Sequence, residues 1–236
     1  MNKKTKKIIA TSGVILTLGA NVPNVKALET TQTSTDIIIR VGEYANKPGK
    51  RLNNVSKDFN IQVPIREEGG VYSVREYDLN YKVANAIVKY LEIKGVNVLL
   101  QDTQNKSQDL NAAGRKAKSY NADIYLSVHH NSYTTDTSGY FFMTNTGDIQ
   151  SAQCAKRLSN AMSSNPMLVP QMENRRNTGY IGELNQNPAK VNILGEFGFA
   201  LSNPDEAIKC ASDEQVEYIA HQLGDELIKI LNELNN

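Results

Sequence analysis

Tryptophan is absent from this 236-residue chain, histidine occurs three times and cysteine twice. Two cysteines cannot build a structural zinc site unaided, and so few histidines leave little to complete one. Cys154 and Cys210 can form one disulfide or remain two separate buried thiols, because sequence spacing does not show whether their Cα atoms approach closely enough. Beyond the N-terminal segment no apolar run is long enough to cross a membrane. There is no internal repeat, no low-complexity tract and no second compositional domain. With 40% hydrophobic and 22% charged residues, wholesale disorder is excluded as well.

Charge of one sign is scarce only locally. The first 27 residues hold five lysines and no acid; taking these from 26 basic groups leaves 21 against 25 acidic ones, a balance of −4. A chain with that balance and no basic run is a poor nucleic-acid binder. Lys3, Lys4, Lys6 and Lys7 precede a short apolar run over residues 8–20, followed by Pro23 and by Val25-Lys26-Ala27. A basic start, a short apolar middle and a small-x-Ala ending read as a secretory signal peptide over residues 1–27, with an uncleaved N-terminal anchor as the alternative. Residues 28–35 are polar and read as a flexible lead-in. The expected product is a secreted monomer with no membrane span after cleavage.

The remainder alternates strands with helices. Ile37-Ile38-Ile39 predicts a strand buried on both faces. Residues 42–70, rich in Gly, Asn, Pro and Lys, predict a long loop. Helices are expected over 76–93, 110–120, 150–162 and 213–234, where apolar residues recur at three-and-four spacing. Further strands are expected over 96–100, 123–128, 139–143 and 191–196. This pattern predicts one α/β domain over residues 36–236, with a mostly parallel twisted sheet flanked by helices on both faces.

In open α/β sheets ligands bind beyond the carboxyl ends of the strands. There the chain carries Arg40-Val41-Gly42-Glu43, His129-His130-Asn131-Ser132 and Glu196-Phe197-Gly198-Phe199, while Glu76 opens the first helix. One histidine with several carboxylates is a metal and acid–base constellation. Ser127-Val128-His129-His130-Asn131 resembles the Ser-Ile-His-Ala-Asn signature of the zinc-dependent N-acetylmuramoyl-L-alanine amidases of the amidase-3 type. Gly195-Glu196-Phe197-Gly198-Phe199-Ala200-Leu201-Ser202-Asn203-Pro204-Asp205-Glu206 resembles the Glu-x-Gly-Phe-x-Ser-Asn-x-x-Glu segment of that family. Arg115 and Asn121-Ala122-Asp123 resemble its lead into the histidine strand.

This resemblance implies an enzyme, a peptidoglycan hydrolase. It would cleave the amide between N-acetylmuramic acid and L-alanine with zinc-activated water. His129 and Glu76 would be Zn²⁺ ligands and Glu196 the catalytic carboxylate. The family's first strand ends in Asp-Pro-Gly-His, whose histidine is the remaining ligand. Here Gly42 is kept and Glu43 stands in the histidine's place, so Glu43 is either a third ligand or an ordinary loop acid. Two carboxylates would offset the ion's charge and weaken it as a Lewis acid.

Simpler roles compete. Glu76 lies three residues after Ser73 and fits a capping box. His129 could be a satisfied core histidine. His130 faces away from His129 because strand side chains alternate. Glu67 and Glu68 are expected to be solvated, as is His221 beside Glu217 and Asp225. The alternative function is a catalytically weak or inactive relative that binds peptidoglycan or regulates a partner.

Overall fold

The computed structural model describes residues 35–43, 46–53, 64–102, 110–171, 175–177 and 181–236. The expected signal peptide, and the lead-in except its last residue, lie outside them. Six strands form the central sheet: β1 (Ile37–Val41), β5 (Val98–Gln101), β6 (Ile124–His129), β7 (Phe141–Asn145), β8 (Arg175–Asn177) and β9 (Val191–Glu196), in the order β5-β1-β6-β9-β7-β8. β1 pairs in parallel with both β5 and β6, and β6 with β9; β7 runs antiparallel to β9. The sheet is therefore mostly parallel, and the chain is an α/β fold. Within residues 42–70 the expected loop also contains β2 (Lys50–Arg51) and β3 (Arg66–Glu68), which flank β4 (Val71–Val74) in a small antiparallel sheet. Its exposed, charged strands carry no apolar run, so periodicity alone did not reveal them.

Alternation along β1 and β6 divides the core into two unequal layers. Ile37, Ile39 and Val41 face a large apolar cluster shared with α1 (Glu76–Ile93), α3 (Ile149–Ala161), α5 (Pro204–Ala211) and α6 (Asp213–Leu234). Each fully buried Leu or Ile there contributes about 1.5–3 kcal/mol. Gly224 lets α6 approach α1 closely, since a Cβ at that position would lie 2.3 Å from the Tyr90 ring. The opposite face is thinner. Ile38, Tyr125 and Leu194 pack there against Ala117 of α2 (Leu110–Lys118) and Leu184 of the four-residue α4 (Gly182–Asn185).

The helix ends follow local chemistry. Asn203 caps α5 by accepting from the Asp205 and Glu206 N–H groups, with Pro204 next in sequence. Ser212 caps α6 through the Gln215 N–H. Cys154 and Cys210 are both free and buried, and the Cys210 thiol donates to the Phe197 carbonyl at 3.3 Å. No helix among the described residues is long and apolar enough to cross a membrane.

Candidate active site

β1, β6 and β9 end at the same edge of the sheet. His129 at the end of β6 is in register with Glu196 at the end of β9, so their side chains leave the same face. Arg40, two positions beyond Ile38, shares that face with Ser127 and His129. Thus the thin apolar layer passes directly into a polar cluster.

The back of this cluster is buried. Arg40 Nη1 pairs with Glu183 Oε2 of α4 at 2.7 Å, with side-chain exposures of only 2% and 0%. Arg40 also donates to Ser127 Oγ at 3.1 Å, and the Ser127 and Tyr125 hydroxyls donate to Glu183 Oε2 at 3.1 and 3.2 Å. Burial opposes charge on Glu183, but Arg40, with help from His129 and Ser127, holds its carboxyl down at about 2.

His129 links this back to the open front. Its Nε2 lies 3.1 Å from Ser127 Oγ and 3.4 Å from Glu183 Oε1, while Nδ1 lies 3.1 Å from Glu76 Oε1. Burial alone would lower its pKa; Glu183 and Glu76 override that and raise it to about 10. Glu76 is fixed from behind by Asn80, whose Nδ2 donates to Oε1 at 3.3 Å. Asn80 Oδ1 in turn accepts from His130 Nδ1 at 2.8 Å. Burial pushes His130 down to about 3, so it is a neutral structural donor. The capping role considered for Glu76 is not what its side chain does. Arg75 is the N-cap of α1, without a side-chain capping bond, and the Glu76 carboxylate turns to His129.

At the front, Gly42 packs on the imidazole. A Cβ there would stand 2.5 Å from His129 Cε1 and 2.6 Å from Nδ1, so only glycine fits. Glu43 follows in the left-handed region at φ 58°. Its Oε2 pairs with Lys47 Nζ at 2.7 Å, and the same ammonium is 4.0 Å from Glu76 Oε2. Glu196 Oε2 is buried with no hydrogen-bond partner among the described residues. Burial raises the Glu196 pKa to about 7, where Glu76, Glu183 and Glu43 add to the effect and His129 opposes it. Next to Glu76 in α1, Tyr77 stacks with Tyr81 at 6.0 Å, and the two line a groove of about 420 Å³ with Pro64, Ile65, Arg66 and Asp78.

The donor set suits a metal ion at two corners. Glu76 Oε1 and His129 Nδ1 are in hydrogen-bond contact at 3.1 Å and would need to part only slightly, to about 3.3–3.6 Å, to serve as neighbouring ligands on a tetrahedral zinc with bonds of about 2.0–2.2 Å. A carboxylate behind the far nitrogen, as Glu183 is here, is the usual support for a ligating histidine. Glu43 is held away on Lys47, and among the described residues no three His, Cys, Asp or Glu side chains converge as a metal site.

A family profile described as N-acetylmuramoyl-L-alanine amidase matches residues 64–229. The chain belongs to this amidase family. Its members are peptidoglycan hydrolases and generally zinc-dependent. The match starts after the first strand, so the departure at Arg40–Glu43 lies outside it. The amidase fold is shared with an N-acetylmuramoyl-L-alanine amidase from Clostridium difficile 630, at 17% identity and a TM-score of 0.67, covering 84% of this chain and 97% of that one. It is likewise shared with AmiC2 of Nostoc punctiforme at 20% identity and a TM-score of 0.61, over 83% and 96% of the two chains. The CwlD amidase from Clostridioides difficile, solved in complex with the GerS lipoprotein, gives 20%, 0.61, and coverage of 84% and 99%. No curated protein sequence matches this amidase.

His129, Glu76 and Glu196, three of the four residues selected from sequence, thus meet at one sheet edge, with Glu43 at its rim on Lys47. Arg40, Ser127 and Glu183 were missed as a unit. A charged residue within an otherwise apolar strand signals a buried partner, but the sequence does not indicate which acid that is.

Proposed function

We propose that the chain is an exported, zinc-dependent hydrolase of the amide between N-acetylmuramic acid and L-alanine, acting at the cell wall after removal of residues 1–27. The observation that carries this reading is Glu196: a carboxylate whose buried oxygen has no partner among the described residues, beside His129 at the carboxyl end of the sheet. Glu76 and His129 would hold the ion, with Glu43 as a third donor once released from Lys47. When bound, zinc supplies Lewis acidity toward the scissile carbonyl and acidity to water.

The protein's own groups do the rest. Glu196 accepts a proton from the attacking water at Oε2 and returns it to the leaving nitrogen of L-alanine. Ser127, Glu183 and Arg40 keep the His129 ring from turning. Asn80 and His130 hold the Glu76 carboxylate toward it. Tyr77 and Tyr81, with Arg66 paired to Asp78, offer an aromatic and polar wall to the glycan–peptide substrate.

Incubation of the purified protein and zinc with intact peptidoglycan should release new L-alanine amino termini without new reducing sugar ends. Glu196→Gln should keep its fold and lose activity by about 10²-fold or more. Equal rates for the two proteins would remove Glu196 from the mechanism. The Glu43–Lys47 pair favours a second reading, a wall-binding protein with little turnover. Sedimentation with peptidoglycan and no release of amino termini would establish that alternative.

A further inference from the structure

We propose that Lys47 is a built-in competitor of the metal: its ammonium occupies the space between Glu43 and Glu76 that a divalent cation would take. The inference rests on the reading of Glu43, Glu76 and His129 as the metal site. Its geometric basis is that one nitrogen lies 2.7 Å from the first carboxylate and 4.0 Å from the second. An ordinary surface pair would join two solvated groups. Here Glu76 is only 11% exposed and its other oxygen is committed to His129, whereas Lys47 is 41% exposed and its flexible stem can leave.

The electrostatics favour exchange. Glu43 and Glu76 bring two negative charges to the rim, and Lys47 neutralises one of them. A divalent cation neutralises both and, unlike an ammonium, can also be ligated by His129 Nδ1 once that nitrogen has released its proton. Lys47 is four residues from Glu43, so acid and competitor are joined by the same short stretch of chain. A tethered cation lowers the apparent affinity for a metal by the factor with which its closed form is favoured. For a partly exposed ion pair this factor is at most about fivefold.

The test is zinc binding by the metal-free protein, measured by competition with a chromophoric chelator. Lys47→Gln should tighten binding by about two- to fivefold, whereas Lys47→Arg, which keeps the charge, should remain near the parent. His129→Ala should bind no zinc with either residue at position 47, which ties the measurement to this site. Because coupling is reciprocal, saturating zinc should speed acylation of Lys47 by an amine-reactive reagent by a similar factor. Equal affinity of the parent and Lys47→Gln would overturn the competition and leave the zinc site standing. Absence of zinc binding in the parent and in both Lys47 variants would overturn the zinc site itself.

Discussion

The two sides of His129 each carry a Lys or Arg paired with a glutamate at 2.7 Å, but they are different devices. Arg40–Glu183 is sealed between the sheet and α4, where both charges have lost their water. Glu43–Lys47 stands at the rim, where either partner can regain it. Equal distances therefore say little about energy. Removing one partner from the buried pair strands the other in a medium that cannot solvate it. Removing one partner from the rim pair leaves the other hydrated. The histidine is held from behind by a sealed pair and bordered in front by a solvated one, which suits the proposed role of a metal ligand.

The sharpest break in this comparison is Arg40→Met. It should cost about 3–5 kcal/mol in denaturant unfolding, because Glu183 is left buried without its guanidinium. Arg40→Met with Glu183→Leu should recover most of that loss, and a double variant as unstable as the single one would show that the pair is not the source. Gly42→Ala lies between the two sides and should cost about 1–3 kcal/mol, since its methyl would overlap the imidazole. It should also shift the His129 ring resonances in NMR spectra; unchanged resonances would mean that the ring does not rest on Gly42. The smallest effect is expected at the rim, where Lys47→Gln should change stability by only about 0–1 kcal/mol. A loss as large as that of Arg40→Met would erase the distinction.

The regular elements were legible to the extent that they carry their own period. The helices Glu76–Ile93 and Asp213–Leu234 and the strand Val191–Glu196 have the expected bounds, because each buries a continuous stripe or run. Lys50–Arg51, Arg66–Glu68 and Gly182–Asn185 gave no such signal, being short segments ordered by what they pair with or pack on. Pro204–Ala211 was not among the expected helices, although Asn203 before Pro204 with Asp205 and Glu206 in the first turn is the signal that could have found it. At the site, position at the strand ends drew notice to His129 and Glu196 and the start of α1 to Glu76, but their roles came from the resemblance to the amidase family. Glu183 was not legible because its role depends on an arginine 143 positions earlier, a contact that only the completed sheet makes. The cysteines, for which a bridge and separate thiols were both open, are separate thiols.

That remote origin of Glu183 has a consequence for how the molecule breathes. A single turn of helix cannot sustain itself in water. Gly182–Asn185 persists because Leu184 is buried and Glu183 is clamped by Arg40. It is thus the kind of segment that opens independently of the sheet, at a cost well below that of global unfolding. Each such opening withdraws the anion behind His129 while β6 and β9 stay paired. The ring loses its orientation before the domain loses its fold, so heat or mild denaturant would abolish competence first and structure later.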